Sequence, residues 1–223
     1  MDIYYLILVV PTMLLSMGAS FLVKSTFAKY SKVVCSKQVT GVDAASLLLR
    51  SNSINDVQVE PVQGSLTDHY SPGDKKLRLS EPVYGVSTIA AVGVAAHEAG
   101  HAIQHATKWG PLALRSILVP VANIGSQFGP VMAIAGLGLS FPLLINLGIL
   151  LFTGAVAFYL ITLPVEFNAS NRAIKILRAN NVLNEEELKG VKKVLTAAAM
   201  TYIASALTAI ASLIRLVLLS RRR

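Results

Sequence analysis

Apolar and polar positions are segregated along this chain on a scale much longer than a single helical turn. Residues 3–23, 116–165 and 194–214 contain no Asp, Glu, Lys or Arg. A helix that crosses a bilayer needs about 20 mostly apolar residues. The first and last runs therefore predict one crossing each. The middle run is long enough for two, with a break near Ser140, Phe141 and Pro142 or at Asn146. Four crossings are expected, and buried helices of soluble proteins rarely stay uncharged over such lengths. The first run follows Asp2 rather than a basic residue and exceeds the core of a cleavable signal, so it reads as an anchor that stays.

The segments between the runs carry shorter periodicities. Residues 24–37 read as a basic surface continuation of the first helix. Thr40 and Asp43 have the spacing of a capping box, which predicts a helix through Leu47, Leu48 and Leu49 that ends near Ser51, Asn52 and Ser53. Residues 57–60, 66–70 and 76–80 are strand candidates, the first and last of them alternating apolar and polar. Pro72 and Gly73 suit a turn between the last two, and a small antiparallel sheet is the economical expectation. Ser87 and Thr88 can cap a helix from Ile89 to about Thr107, rich in small residues that admit close backbone approach. Trp109, Gly110 and Pro111 end it. Asn184 followed by Glu185, Glu186 and Glu187 predicts another helix start, running on into the last crossing.

Composition supports a membrane protein: 53% of the 223 residues are hydrophobic and 14% charged, against about 25% charged in soluble domains. Charge placement sets orientation. Lys24, Lys29, Lys32, Lys37, Arg50, Lys75, Lys76, Arg78, Lys108 and Arg115 lie between the first and second crossings. Arg172, Lys175, Arg178, Lys189, Lys192 and Lys193 lie between the third and fourth. The positive-inside rule puts both polar segments in the cytoplasm. Arg221, Arg222 and Arg223 would then fall outside, and Arg215 near the end of the last helix, where tilt, an early stop or snorkelling can accommodate them. The net charge of +8 thus answers to anionic lipid. Nucleic acid is not an expected partner, since no basic, aromatic-bearing element gathers it. A single cysteine, Cys35, excludes an internal disulfide and multi-cysteine zinc sites.

Within the alanine-rich helix the chain reads His97-Glu98-Ala99-Gly100-His101. Positions four apart share a helix face, so two imidazoles can bind one ion while Glu98 reaches the adjoining water position, as in zincins. With four histidines and seven glutamates in the chain, chance would supply the pattern about 0.002 times. Catalytic zinc takes three protein ligands and leaves one position open. His105 continues the spacing but lies two turns from His97, which fits a tetrahedron poorly. Glu166 ends the uncharged middle run and returns to the same membrane side as the histidines, so it is the expected third ligand. Arg172, His69, Tyr70 and His105 are candidates for stabilising the transition-state oxyanion. Lys76 to Ser80, preceding the metal helix, is the expected strand for pairing with extended substrate.

These blocks, with Leu66 to Tyr70, Leu77 to Ser80, Ala91 to His105 and Leu163 to Ala173, resemble the bacterial membrane zinc metallopeptidases of the YugP type over nearly the whole chain. They are more distantly similar to the HtpX-type membrane proteases and the CAAX-prenyl endopeptidases. The resemblance implies an endopeptidase with one Zn²⁺ per chain. In those relatives an aspartate often stands four residues after the third ligand and orients a histidine. Here that position is Ser170, which can hydrogen-bond without bringing charge.

The expected architecture is a mainly α, integral membrane protein with about four transmembrane helices and a small zincin-like α+β cytoplasmic portion. Its segments are an anchor (1–23), a cytoplasmic portion with the metal helix (24–115), two transmembrane helices (116–165), a cytoplasmic helical segment with the third ligand (166–193), and a last transmembrane helix with a basic tail (194–223). The expected partners are a polypeptide substrate, membrane-associated ones included, and the lipid bilayer, with the active site facing the cytoplasm. A zinc-stabilised membrane scaffold or chaperone without turnover is the alternative that uses the same ligands.

Overall fold

A computed structural model describes residues 2–221; Met1 and the last two arginines of the basic tail, Arg222 and Arg223, lie outside the described residues. Mainly helical, the described residues include four helices long and apolar enough to cross a membrane, Tyr5–Tyr30, Gly110–Leu139, Pro142–Ala179 and Glu185–Ser220. The regular α-helical part of the first is α1 (Val10–Tyr30). The others are α5 (Gly110–Leu139), α6 (Pro142–Ala179) and α7 (Glu185–Ser220). The expected break in the middle run falls at Ser140, which takes a positive φ of 54° between α5 and α6.

The chain divides into two compact units: Met1–Ser20 with Gly110–Pro164 and Met200–Arg223, and Phe21–Trp109 with Val165–Ala199. In the first unit α5 and α6 pack backbone to backbone. A Cβ on Gly148 would lie 2.5 Å from the Ala133 nitrogen and one on Gly129 would lie 2.9 Å from the Gly148 carbonyl, so only glycine allows this approach. Arg215 of α7 is met by Asp2, whose Oδ2 accepts from Nε at 3.0 Å. The charge that the hydrophobic pattern left unaccounted for is therefore paired within the protein.

The second unit contains α2 (Gly41–Ser51), β1 (Gln58–Val62), β2 (His69–Ser71), β3 (Lys76–Ser80), the short α3 (Glu81–Tyr84) and α4 (Ile89–Ala106), with parts of the long helices. The capping box forms: the Asp43 N–H donates to Thr40 Oγ1 at 3.3 Å and the Thr40 N–H to Asp43 Oδ2 at 3.1 Å. Thr88 caps α4 by accepting from the Ala91 N–H. Asn184 caps α7, taking the Glu187 N–H at 2.9 Å.

The sheet is mixed, not antiparallel. Its order is β1-β3-β2, with β1 parallel and β2 antiparallel to β3. Leu77 and Leu79 of the central strand are fully buried with Leu48, Val83, Val92 and Ile103, each such leucine contributing about 1.5–3 kcal/mol. A central strand has both edges paired, so β3 cannot take the substrate-pairing role expected of it. The outer positions of the sheet belong to β1 and β2. Asp68 fixes the approach to β2 by accepting from the Ser80 N–H at 2.7 Å and the Ser80 hydroxyl at 2.8 Å.

Candidate metal centre

Every group at the candidate site belongs to the second unit. On α4, His97 and His101 project from one face with ring centroids 4.8 Å apart, edge to face. On α6, Glu166 Oε2 lies 3.2 Å from His97 Nε2 and 3.5 Å from His101 Nε2. One ligand atom from each of the three falls within 4.8 Å of the others. Gly100 makes this approach possible, because a Cβ there would lie 2.6 Å from the Ala169 carbonyl oxygen of α6. The glycine inside the motif thus sets the spacing between the helix that carries the imidazoles and the one that carries the carboxylate.

The outer nitrogens of both rings are engaged. His97 Nδ1 is 3.0 Å from Ser170 Oγ, and His101 Nδ1 is 3.0 Å from Gln104 Oε1. The Gln104 amide orientation follows from its Nε2, which donates to the Val165 carbonyl at 2.8 Å and to Asn168 Oδ1 at 3.0 Å. Its Oε1 must therefore accept, so His101 carries its proton on Nδ1 and turns the Nε2 lone pair inward. Two imidazole Nε2 atoms and a carboxylate oxygen then converge, an arrangement that calls for positive charge at the point where they meet. Burial works against the charged form of His101, but the hydrogen bond to Glu166 and the charges of Glu98 and Glu166 outweigh it and raise its pKa. Two imidazole nitrogens and one carboxylate oxygen, each braced from behind, are a donor set that zinc accepts. The residues present fit the ion.

A family described as "Putative neutral zinc metallopeptidase" matches residues 5–221 of the chain. The chain belongs to that family. As a zinc metallopeptidase it is a hydrolase of peptide bonds, with polypeptide substrates. It is 48% identical over 215 residues, 96% of each chain, to the "Putative membrane protease YugP" of Bacillus subtilis (strain 168). No solved structure gives a significant match.

The other candidates of this metallopeptidase are arranged unequally. Glu98, half-buried on α4, accepts the Tyr70 backbone N–H at 3.0 Å through Oε2. The Tyr70 hydroxyl and His105 Nδ1 are 2.8 Å apart. Burial, with the nearby charges of Asp56 and Asp74, pushes the Tyr70 phenol up to about 12, so it remains a donor. Tyr70 thus contacts Glu98 through its backbone and His105 through its side chain. Arg172 faces the support of the site, donating from Nε to Asn168 Oδ1 at 2.8 Å. His69 turns to its own loop, its Nδ1 2.8 Å from the Thr67 carbonyl. Three residues escaped the sequence reading: Gln104, Asn168 and Asp68. Gln104 left a signal, since it stands three positions after His101 on the same helix face.

Proposed function

We propose that this chain is a zinc-dependent membrane endopeptidase that holds one zinc ion per chain through His97, His101 and Glu166 and uses Glu98 as general base. The carrying observation is the convergence of two inward Nε2 atoms on Glu166 Oε2 while Ser170 and Gln104 occupy both Nδ1 atoms. Zinc bound there supplies a Lewis acid that polarises a carbonyl and acidifies water. Glu98 takes the proton from the water that attacks the scissile carbonyl and returns it to the departing amine. Glu98 follows His97 in sequence on α4, and its carboxylate rests on the Tyr70 N–H.

Glu98 takes the Tyr70 backbone N–H and His105 stands beside the Tyr70 hydroxyl, which supports Tyr70 and His105 over His69 and Arg172 as donors for the oxyanion. Extended substrate pairs with the edge of β2 that faces away from β3, replacing Glu98 as the acceptor of the Tyr70 N–H. The site faces the cytoplasm, as supported by the sixteen basic residues of the two polar segments. Membrane-associated or unfolded polypeptides are then the accessible substrates.

Glu98→Gln tests the assignment. Purified variant should keep one zinc per chain by elemental analysis, while cleavage of an unfolded protein falls about 10²–10⁴-fold. Wild-type turnover by that variant would overturn the role of Glu98. A zinc-loaded wild type that cleaves nothing would favour the scaffold alternative.

A further inference from the structure

A cavity lies in the second unit, lined by none of the proposed metal ligands. It has a volume of about 490 Å³ and is lined by α1 and α7. From α1 come Leu22, Thr26, Lys29 and Tyr30; from α7 come Lys189, Lys192, Lys193, Thr196 and Ala197. These positions follow helical spacing, so each helix turns one face to the cavity. The cavity is polarised along its length. Leu22, Thr26, Thr196 and Ala197 line one end and the four lysines the other.

That gradient coincides with the chain's own membrane boundary. Residues 194–214 carry no charge and begin directly after Lys193, and α1 acquires lysines only from Lys24 onward. The apolar end thus lies at acyl-chain depth and the lysines at headgroup depth. Gly190 keeps the two helices close, since a Cβ there would lie 3.0 Å from the Tyr30 ring. The acidic residues at the start of α7 have partners of their own, and although one of these is the cavity's Lys189, Lys29, Lys192 and Lys193 are left for an anion. Glu185 pairs with Arg178 at 2.9 Å and Glu186 with Lys189 at 2.6 Å. Buried Glu187 accepts the Ser36 N–H at 2.7 Å and the Asn184 N–H at 2.9 Å. None of the three lines the cavity.

We infer that this groove binds one anionic glycerophospholipid of the cytoplasmic leaflet, its phosphate on Lys29, Lys192 and Lys193 and its upper acyl segment along Leu22, Thr26, Thr196 and Ala197. Charge complementarity selects the headgroup, and the apolar end distinguishes a lipid from free phosphate. Such a lipid would fasten the start of α7 to the end of α1 without touching the zinc ligands.

The test is native mass spectrometry of the full-length detergent-solubilised protein titrated with phosphatidylglycerol, phosphatidylcholine or sn-glycerol 3-phosphate. Three variants accompany wild type: Lys192→Gln/Lys193→Gln; Thr196→Trp, which fills the apolar end from an exposed position; and Lys108→Gln/Lys175→Gln, which removes the same charge elsewhere. The expected result is one phosphatidylglycerol retained by wild type over phosphatidylcholine. Its affinity should fall about thirtyfold in the Lys192/Lys193 variant and clearly in Thr196→Trp, with the distant pair unchanged. Equal retention of phosphatidylcholine, equal loss in the distant pair, wild-type affinity in Thr196→Trp, or glycerol phosphate binding as well as the lipid would each overturn the site. None of these readings depends on peptidase activity.

Discussion

Gln104 is fully buried and links three groups: it accepts from His101 Nδ1 and donates to the Val165 carbonyl and Asn168. Its removal frees His101 to rotate or change tautomer and loosens the stretch of α6 that bears Glu166. Gln104→Leu should lower zinc affinity about 10–100-fold in a competition titration with a chromophoric chelator, with Gln104→Glu restoring part of it through its remaining acceptor. Unchanged affinity in Gln104→Leu would remove it from the support of the site. His101 adds a pH dependence. Its metal-free pKa is raised above the ordinary 6.5, and zinc needs the neutral ring. Protons should therefore begin to compete with zinc at a pH above that ordinary value, and zinc affinity should fall as the solution is acidified. In the metal-free protein the sign reverses: the protonated ring stabilises the fold at low pH, and that stabilisation is lost as pH rises through the raised pKa. Titrations of zinc affinity and metal-free melting against pH measure the two trends separately. The meeting of His97 and His101 was legible at this scale because positions four apart share a helix face. Glu166 was legible as the charge that ends a long uncharged run. Asn168 was not, since its amide acts through neighbours that only folding assembles, and Gln104 showed only as a polar residue on the His101 face of α4.

Helix against helix, the site depends on how closely α4 meets α6. Gly100 is the point of approach, facing backbone that cannot rotate away. Gly100→Ala should cost about 1–3 kcal/mol by overpacking, and the displacement should also weaken zinc binding. Chemical denaturation with and without zinc measures both; an alanine variant with wild-type stability and zinc affinity would show that the helices have slack. Thr40 and Asp43, Thr88, and Asn184 marked their helix starts in the sequence because caps are local: acceptor and donor lie within one turn. The order of the strands was not local. Alternation in residues 76–80 revealed a strand but not that β1 and β2 would flank it, because pairing partners are chosen by burial of Leu77 and Leu79 across the whole unit. With both of its edges paired, β3 cannot take the expected substrate-pairing role, and we propose an edge strand for it.

At the scale of the whole chain, the four long helices were the most readable feature, since an uncharged run of sufficient length has few other folds available to it. The two compact units were less so, because α1, α6 and α7 each contribute to both. All three proposed zinc ligands belong to one unit, which makes the effect of metal removal directional. Chelation should lower the melting temperature, and zinc at a hundredfold excess over its Kd should restore about 2.7 kcal/mol. Hydrogen exchange should rise in α4 and in residues 165–179 on chelation while residues 116–139 keep their protection. The central claim is the coordination itself, and X-ray absorption at the zinc edge on purified protein tests it most directly. Predicted is one zinc per chain, with two imidazole nitrogens at about 2.0–2.1 Å and a carboxylate oxygen at about 2.0–2.2 Å, the imidazole signal falling by half in His97→Ala and the carboxylate signal lost in Glu166→Gln. A protein that binds no zinc, or a spectrum unchanged by either substitution, would contradict it.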